Sequence, residues 1–404
     1  MNILHWLGSG NLPKDPDKTP VSGVVRAALE LGRAQRQRGH SVTIGCAGTH
    51  AWEAEWEGVQ LIGRPPARWA RKKLYGRTMD FSQHVPLWKL TRSRPYDVVH
   101  SHLYAYLRGI RAGIRVVHFH VDPLYGGADG TGFSKADFDS VYHNADIIVA
   151  VSRYIEQQLK DNLPSDLPIG VVANGVRQAA STNELDCRAS EMRRKLGIRQ
   201  GDFVIAYAGA IVEEKGLKVL AEAFRRLRPA GGLVHLIIAG SGRLWDGALV
   251  KATPYYEEEV RELLKGEVAA GRAHFLGGVA AESMPSVYSA GDVFVAPSVW
   301  PEPFSLVCLE AMSCGRPIVA SRIGGLPEVV TEQSGRLFNP GDIAGCARAI
   351  EELRADAALR RALGQAALRR SQMYTWANAA EMVDGLYQRA LFRRGMSSRW
   401  SVGG

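Results

Sequence analysis

The sequence predicts an α/β protein built from two Rossmann-like domains, each with a parallel sheet between helices. The chain has 404 residues, which exceeds the size at which one hydrophobic core stops growing. Short runs rich in Val and Ile alternate with helix-length amphipathic segments, a pattern typical of βαβ units. The polar segment Asn174–Asn183 interrupts this pattern. The runs therefore fall into two series and predict two domains.

The first domain, assigned to residues 1–178, contains the earlier series of predicted strands. These strands are Asn2–Leu7, Ser41–Cys46, Val98–His100, Val116–His120 and Ile147–Val151. The second domain, assigned to residues 179–375, contains the later series. Its strands are Phe203–Ala208, Val234–Ala239, His274–Leu276, Val293–Ala296 and Pro317–Ala320. A predicted helix, Trp376–Phe392, and a polar tail form the last segment, residues 376–404.

The composition is that of an ordinary globular protein, with 46% hydrophobic and 23% charged residues. The formal net charge of +9 fits an anionic partner: a nucleotide diphosphate, an acidic lipid surface or nucleic acid. A proteome whose proteins are generally basic is the alternative explanation. The five cysteines have no metal-site or redox spacing, which predicts reduced thiols and a cytoplasmic location. The apolar start, Met1–Leu7, has no basic region before it and is interpreted as a strand, not as a signal peptide.

Two glutamates, Glu302 and Glu310, flank the predicted start of a helix over Ser305–Met312. The backbone N–H groups that open this helix belong to Phe304, Ser305, Leu306 and Val307. Such N–H groups have no partner inside the helix and can bind a phosphate. The two carboxylates can accept hydrogen bonds from the hydroxyls of a sugar and of a ribose. A helix whose acidic residues only favour its own N-terminus is the alternative interpretation.

This segment resembles the nucleotide-binding signature of the retaining glycosyltransferases of family four, which have the GT-B fold. The family pattern reads roughly P-S-x-x-E-P-F-G-L-V-x-L-E-A-M-A-x-G-x-P-V-V-A, followed by G-G-x-x-E. The matching residues are Pro297, Ser298, Glu302, Pro303, Phe304, Leu306, Val307, Glu310, Ala311, Met312, Gly315, Pro317, Gly324, Gly325 and Glu328. Ser305 replaces a glycine but keeps the backbone amide. The resemblance implies two Rossmann-like domains facing each other across a cleft, with the C-terminal helix crossing back to the first.

Two further segments of the second half resemble the family's loops for the donor diphosphate. They are Ala206–Gly216 and Ile238–Gly242. The residues that the resemblance assigns to the donor site are Gly209, Lys215, Gly240 and Gly242. Ala210 stands where the family has an arginine. Either another cation replaces this arginine, or backbone amides carry more of the interaction with the diphosphate.

In the first half, Thr19–Val24 resembles the family's glycine loop before the first helix. Ser22 replaces the first glycine of that loop. Gly23 is retained and can bring the backbone close to the donor phosphate or to the acceptor.

Two H-x-H pairs end neighbouring predicted strands: His100 with His102, and His118 with His120. Alternate residues of a strand share a face, so either pair could supply two metal ligands. A third ligand is not apparent, and the family transfers sugar without a metal. The resemblance places His120 near the donor sugar as a catalytic residue. His118 is expected inside the sheet, and the other pair at a strand end facing the acceptor cleft.

The segment Arg64–Arg77 is rich in Arg and Lys, with aromatic and apolar residues between them. Three interpretations stay open: a solvated loop, a surface for an anionic acceptor, or an amphipathic helix from about Ala67 that contacts an anionic membrane. The third would place the protein at the inner face of the membrane.

The resemblance implies transfer of a sugar with retention of configuration and without a metal or other cofactor. The expected donor is a UDP-sugar such as UDP-glucose, and the acceptor is a hydroxyl of a glycan, lipid or small molecule. Lys215 would stabilise the leaving diphosphate, Glu302 would orient the sugar and Glu310 would bind the ribose. Two alternatives stay open: a sugar-nucleotide epimerase of the same fold, and a non-catalytic basic module for membrane or nucleic acid. A nucleic-acid partner is not expected, because a binding surface has no need of both glutamates.

Overall fold

A computed structural model of the chain describes residues 1–8, 12–19, 21–67, 71–74, 77–80, 84–102, 107–124, 132–178, 181–227, 232–242 and 255–395. The chain divides into two compact units. The first consists of Met1–Gly175 and the C-terminal segment that starts at Trp376, and the second is Val176–Thr375. Each unit contains a largely parallel sheet. The predicted fold class is confirmed, including the return of the last helix to the first domain.

The first unit contains an eight-stranded sheet and a separate pair of strands. Numbered in chain order, its strands are β1 (Asn2–Trp6), β2 (Ser41–Ala47), β3 (Trp52–Trp56), β4 (Val59–Arg64), β5 (Arg71–Leu74), β6 (Arg77–Asp80), β7 (Val98–Ser101), β8 (Ile114–Phe119), β9 (Ile147–Ala150) and β10 (Ile169–Val171). Its helices are α1 (Gly23–Gln37), α2 (His84–Ser93), α3 (Lys135–Asn144), α4 (Arg153–Lys160) and α14 (Trp376–Arg393).

The strand order of the large sheet is β10-β9-β8-β7-β1-β2-β4-β3. All neighbours are parallel except β3, which runs antiparallel to β4. The order reverses between β1 and β7, which makes this the topological switch point where open α/β sheets bind ligands. Helix α14 lies against α1 and contacts β8 and β9. Its buried face carries Val383 and Tyr387 at helical spacing, which explains why a helix so far along the chain joins this unit.

The second unit contains a six-stranded parallel sheet in the order β13-β12-β11-β14-β15-β16. Its strands are β11 (Phe203–Ala208), β12 (Val234–Ala239), β13 (Ala273–Gly277), β14 (Val293–Ala296), β15 (Ile318–Ser321) and β16 (Gly335–Phe338). Its helices are α5 (Thr182–Lys195), α6 (Leu217–Arg226), α7 (Tyr256–Leu263), α8 (Lys265–Ala269), α9 (Met284–Ala290), α10 (Leu306–Ser313), α11 (Leu326–Val329), α12 (Ile343–Ala355) and α13 (Ala357–Ser371). Apolar cores cover both faces of the sheet, as continuous apolar strands require. The switch point lies between β11 and β14.

Every predicted strand is present, but the sequence pattern missed several others. The missed strands are β3, β4, β5, β6, β10 and β16. Strand β3 alternates partly buried and exposed residues at the sheet edge, and β10 and β16 are short. None of these gives the continuous apolar run that identifies a central parallel strand.

The basic segment Arg64–Arg77 excludes one of its three interpretations. Strands β5 and β6 pair antiparallel within and just beyond it, so the interpretation as a helix from about Ala67 is wrong. Gly76 would cost such a helix about 1 kcal/mol relative to alanine. Residues 68–70 and 75–76, and the side chains of both strands, lie outside the described residues. Contact of this segment with a membrane therefore stays a prediction. Within the described residues, no helix is long and apolar enough to cross a bilayer.

Candidate functional site

An ion pair joins the loops that follow the two switch-point strands of the second unit. Lys215, after β11, donates from Nζ to Oε1 of Glu302 at 2.6 Å and to Oε2 at 2.7 Å. Glu302 lies after β14, and its Oε2 also accepts from Ser298 Oγ at 3.1 Å. Only 8% of Glu302 is exposed, and the Lys215 ammonium lies 5.9 Å from the centre of the Trp300 ring. Charge-assisted bonds in this shielded position fix where the ammonium stands.

Gly216 brings these two loops into backbone contact. It follows a 3₁₀ turn over Glu213–Lys215 and adopts a left-handed conformation with φ of 67°. A Cβ atom at Gly216 would lie 1.9 Å from the carbonyl oxygen of Pro297, much closer than atoms can approach. Glycine is therefore required here both by conformation and by space.

The glycine pair after β15 holds Glu302 from the other side. Gly324 has φ of 56°, and a Cβ atom there would lie 2.4 Å from the carbonyl oxygen of Glu302. The N–H of Gly325 donates to that same oxygen at 2.7 Å. The G-G-x-x-E part of the signature therefore positions the backbone of Glu302.

Replacing Gly216 by alanine should destabilise the second unit by roughly 2–5 kcal/mol. About 1–2 kcal/mol comes from the left-handed backbone, and about 1–3 from moving the Pro297 loop. Gly271→Ala is the matched control, because Gly271 has φ of 66° and nothing within 4 Å of its Cβ position. Urea unfolding of the full chain measures both variants. Equal shifts of the unfolding midpoint would show that the contact with Pro297 contributes nothing.

The glycines after β11 and β12 also lie backbone to backbone. A Cβ atom at Gly240 would lie 1.8 Å from the carbonyl oxygen of Gly209, so a side chain cannot be accommodated. Gly209 donates its N–H to Ala239 at 3.0 Å. The N–H of Gly242 donates to Oε2 of Glu257 at 2.8 Å, so a phosphate at this amide would displace a carboxylate. The predicted contacts of Gly209, Gly240 and Gly242 with the donor stay predictions.

Helix α10 begins at Leu306, one residue after the predicted start, with Ser305 as its N-cap. The Ser305 side chain makes no capping hydrogen bond, whereas Ser152 and Ser181 cap α4 and α5. The N–H groups of Leu306 and Val307 belong to the first turn, where no partner exists inside the helix. The preceding Phe304 packs against the core of the unit and so fixes the entry of the chain into the helix. This N-terminus can receive an anionic group.

Glu310 lies one turn further along α10 and is held by Tyr288 of α9. The Tyr288 hydroxyl donates to Oε2 of Glu310. Burial, with the charge of Glu310, raises the pKa of Tyr288 well above its usual value. Tyr288 therefore stays protonated at neutral pH and remains a hydrogen-bond donor. A carboxylate has about four lone-pair sites, so this bond orients Glu310 without using up its capacity to accept.

Ala210, at the position of the family arginine, is buried, and its carbonyl oxygen accepts from the Tyr207 hydroxyl at 2.9 Å. Burial raises the pKa of Tyr207 well above its usual value. This position therefore contributes a methyl group and a satisfied carbonyl but no cation. In the segment 209–216, Lys215 is the basic residue.

In the first unit, Gly23 is the first residue of α1. Ser22 is its N-cap and accepts from the N–H of Val25 at 3.4 Å. Ser22, which replaces a family glycine, thus has a capping role. The predicted contact of Gly23 with a phosphate or acceptor is untested.

The four histidines of the H-x-H pairs form one buried cluster with a fifth, His5 of β1. His120 follows β8 and is 9% exposed, and its Nε2 lies 2.8 Å from Nδ1 of His102. Burial, together with the charge of His5, lowers the pKa of His120 to about 3. Burial also holds the pKa values of His100, His102 and His118 well below the usual value. These imidazoles are therefore neutral at physiological pH.

The structure also supplies the third imidazole that neither sequence pair contained. Two sets of three have ring nitrogens within 4.8 Å of one another: His5 with His100 and His102, and His102 with His118 and His120. Neutral imidazoles are the form that binds transition metals. The geometry admits such an ion but does not require one, since most of these nitrogens bond to each other.

Several residues of these sites were not identified from the sequence. They are His5, Tyr288 and Trp300, together with three residues that hydrogen-bond to the histidine cluster directly or through one another: Gln35 to His5, Asp384 to Gln35, and Tyr387 to His100. Asp384 gave the strongest available signal, because it is an acidic residue between Val383 and Tyr387 on the buried face of α14. A buried carboxylate needs hydrogen-bond or ion-pair partners, but the periodicity of the sequence does not identify which residues these are.

Comparison with known proteins places both halves of the chain in one family. Residues 21–179 match the family model described as Glycosyltransferase Family 4. Residues 189–370 match the model described as Glycosyl transferases group 1. The chain is 30% identical over 325 residues to D-inositol 3-phosphate glycosyltransferase of Stackebrandtia nassauensis. This alignment covers 76% of the chain and 71% of that relative.

Two solved structures share the fold. Sucrose-phosphate synthase of Thermosynechococcus elongatus has a TM-score of 0.76 at 22% identity, with 98% of this chain and 100% of that chain covered. The HepE protein of Anabaena, crystallised with UDP-glucose, has a TM-score of 0.72 at 19% identity, with 96% of this chain and 99% of that chain covered. Both support the fold of this chain, two α/β domains that each contain a parallel sheet.

Proposed function

Because the chain belongs to glycosyltransferase family 4, we propose that it transfers a hexosyl group from a UDP-sugar to a hydroxyl of its acceptor, with retention of anomeric configuration. The observation that supports this proposal most is the ion pair of Lys215 and Glu302 at the switch point of the second unit. It lies where open α/β sheets bind ligands. A fixed ammonium there matches the need to stabilise a leaving diphosphate.

The proposed division of roles follows from the contacts of each residue. Lys215 and the first N–H groups of α10 would face the diphosphate, where negative charge grows as the sugar leaves. Glu302 holds Lys215 and would orient the sugar hydroxyls. Glu310, oriented by Tyr288, would accept from the ribose diol. Lys215 and the amides supply the electrostatic stabilisation, so the proposal involves no metal ion.

The proposed step breaks the bond between the anomeric carbon and the β-phosphate oxygen. The electron pair of this bond goes to the UDP leaving group, and the sugar gains oxocarbenium character. The acceptor hydroxyl attacks from the face that the diphosphate leaves, and its proton goes to the departing phosphate oxygen. This sequence needs no carboxylate nucleophile. His120, in the first unit, would contact the transferred sugar.

The proposed acceptor is a polyol or sugar that carries a phosphate. The relative from Stackebrandtia nassauensis is named for D-inositol 3-phosphate, and the structural neighbour from Thermosynechococcus elongatus is a sucrose-phosphate synthase. The net charge of +9 favours association with such anions. A cytoplasmic location, where nucleotide sugars are available, belongs to the same proposal.

A donor screen tests this function. UDP-glucose at about 100 times its Kd should stabilise the protein by about 2.7 kcal/mol, which raises Tm by roughly 5–10 °C for a domain of this size. ADP-, GDP- and dTDP-glucose provide the comparison. With inositol phosphate or a hexose phosphate added, UDP and a new glycoside should appear in equal amounts. A C2-inverted sugar, or UDP release through a glycal without glycoside, would favour the epimerase. Binding of none of the four donors would contradict the proposal.

A further inference from the structure

Five histidines of the first unit share one face of its sheet. His5 of β1 pairs in register with His100 of β7, and parallel partners point to the same side. His102 lies two residues after His100, and residues two apart on an extended chain share a face. His118 and His120 follow the same alternation along β8. The helices that cover this face are α1 and α14, which contact the cluster through Gln35 and Tyr387.

A chain of hydrogen bonds runs from this cluster to a buried carboxylate. Asp384 of α14 accepts at Oδ1 from Gln35 Nε2, at 3.0 Å. At Oδ2 it accepts from Arg38 Nε at 2.7 Å and from His40 Nε2 at 2.9 Å. These donors, led by the bond to His40, hold the pKa of Asp384 below its usual value despite burial. Asp384 is therefore ionised at neutral pH and can only accept.

Because Asp384 can only accept, it determines which atom donates in each following hydrogen bond of the series. Since the Gln35 amide donates to Asp384, its Oε1 faces His5 and accepts from Nε2 at 2.7 Å. Burial lowers the pKa of His5 to about 4, so His5 carries a single ring proton, on Nε2. Its Nδ1 must then accept from His102 Nε2, at 2.8 Å.

The same argument applies to His102 and then to His120. His102 is neutral and has its proton on Nε2, so its Nδ1 accepts from His120 Nε2 at 2.8 Å. His120 is neutral as well, which leaves Nδ1 without a proton. That Nδ1 atom is buried and has no hydrogen-bond partner among the described residues. A bare buried acceptor costs about 1–3 kcal/mol, so an O–H or N–H donor from a ligand or from water would be stabilised at this atom.

We propose that Asp384 is a positioning residue: through Gln35, His5 and His102 it holds His120 as the Nε2–H tautomer, with Nδ1 as the acceptor for a ligand hydroxyl. The hydroxyl is that of a sugar, and this part of the inference rests on the proposed function. His120 lies just beyond the end of β8, two strands from the switch point of its sheet. Asp384 of α14 thus determines whether the Nδ1 atom of His120, at the end of β8, accepts or donates a hydrogen bond.

Asp384→Asn is expected to reverse the direction of each hydrogen bond in the series from residue 384 to His120. The charged Arg38 and the His40 ring hold the amide oxygen of the new side chain at the Oδ2 position, so its NH₂ group faces Gln35. Gln35 must then turn its oxygen to that NH₂ and its own NH₂ to His5. Each ring proton moves to the other nitrogen, and His120 becomes the Nδ1–H tautomer.

The test uses full-length protein labelled with ¹⁵N-histidine and long-range proton–nitrogen correlation spectra at neutral pH. The His120 signals are assigned by their loss in His120→Gln. Wild type should show pyrrole-type Nε2 and pyridine-type Nδ1 for His120, and Asp384→Asn should exchange the two. Asp146→Asn is the control, because Asp146 pairs with Arg115 at 3.2 Å and with Arg394 but takes no part in the hydrogen bonds that link Asp384 to His120. It should leave the His120 signals unchanged.

Activity gives an independent readout. With an active donor and acceptor, Asp384→Asn should lower kcat/KM about tenfold, as expected for one hydrogen bond, and Asp146→Asn should stay within twofold. The inference is overturned if His120 of the wild-type protein is protonated at Nδ1. This measurement needs no variant, so it holds even if Asp384→Asn does not fold. Unchanged tautomers in a folded Asp384→Asn also overturn it. Stoichiometric zinc by elemental analysis, with chelator-dependent histidine signals, would make the cluster a metal site instead. Absence of transfer with a correct His120 tautomer would count against the proposed function alone.

Discussion

Lys215→Ala is expected to lower kcat for sugar transfer by about 10²–10³-fold, the usual effect of removing one preorganised donor to a developing charge. The diphosphate carries more negative charge in the transition state than in the bound donor, so the KM for the donor should change less than kcat. The ion pair with Glu302 supports this, because an ammonium already fixed in place needs little reorganisation when the sugar leaves. Steady-state kinetics with a saturating acceptor give the two constants separately.

The same variant removes the cation beside a carboxylate that is only 8% exposed, so stability must be measured with activity. Lys215→Arg keeps the charge and should retain more activity than the alanine variant. Lys218→Ala is the matched control, since Lys218 lies on the adjacent helix α6 and pairs with Glu259 in an exposed position. It should leave kcat within about twofold. A Lys215→Ala enzyme that stays folded and retains kcat within twofold, under 0.5 kcal/mol, would remove Lys215 from the proposed site.

The central strands could be predicted because parallel strands buried on both faces need continuous apolar runs. Strand β3 could not be predicted, because its polar and apolar residues alternate as in many exposed segments. Its antiparallel pairing with β4 exists only in the folded sheet. One of the three interpretations of the basic segment, a helix from about Ala67, is wrong for a related reason. Prolines permit a helix start but do not exclude strands such as β5 and β6.

Within the candidate sites, local sequence signals were sufficient where the structure requires a particular backbone conformation. Gly216 and Gly324 stand in a recognisable signature, and their left-handed conformations explain the choice of glycine. The partners of buried charges were not visible. Asp384 is 349 residues from Gln35, and no periodicity links positions so far apart. The fifth histidine, His5, was hidden in the same way, since its register with His100 exists only in the folded sheet.

Glu310→Ala is expected to weaken binding of UDP roughly 10- to 100-fold, since hydrogen bonds to a charged group contribute about 1.5–3 kcal/mol. The ribose is remote from the bond that breaks, so this interaction is equal in the ground state and in the transition state. The KM for the donor should therefore rise with kcat nearly unchanged, the opposite of the Lys215→Ala pattern. Isothermal titration with UDP and steady-state kinetics measure the two effects.

A double-mutant cycle between enzyme and ligand decides whether Glu310 contacts the ribose. Wild type should bind 2′-deoxy-UDP more weakly than UDP, and Glu310→Ala should bind the two nearly equally, because the partner of the missing hydroxyl is already gone. Tyr288→Phe removes the hydroxyl that orients Glu310 but leaves the carboxylate, so its loss of affinity should be smaller. Glu352→Ala, at an exposed pair with Arg336, controls for a general effect of losing a carboxylate. If Glu310→Ala weakened both nucleotides by the same factor and kept the wild-type ratio between them, Glu310 would act on nucleotide binding through the structure of α10, and the ribose would have another partner.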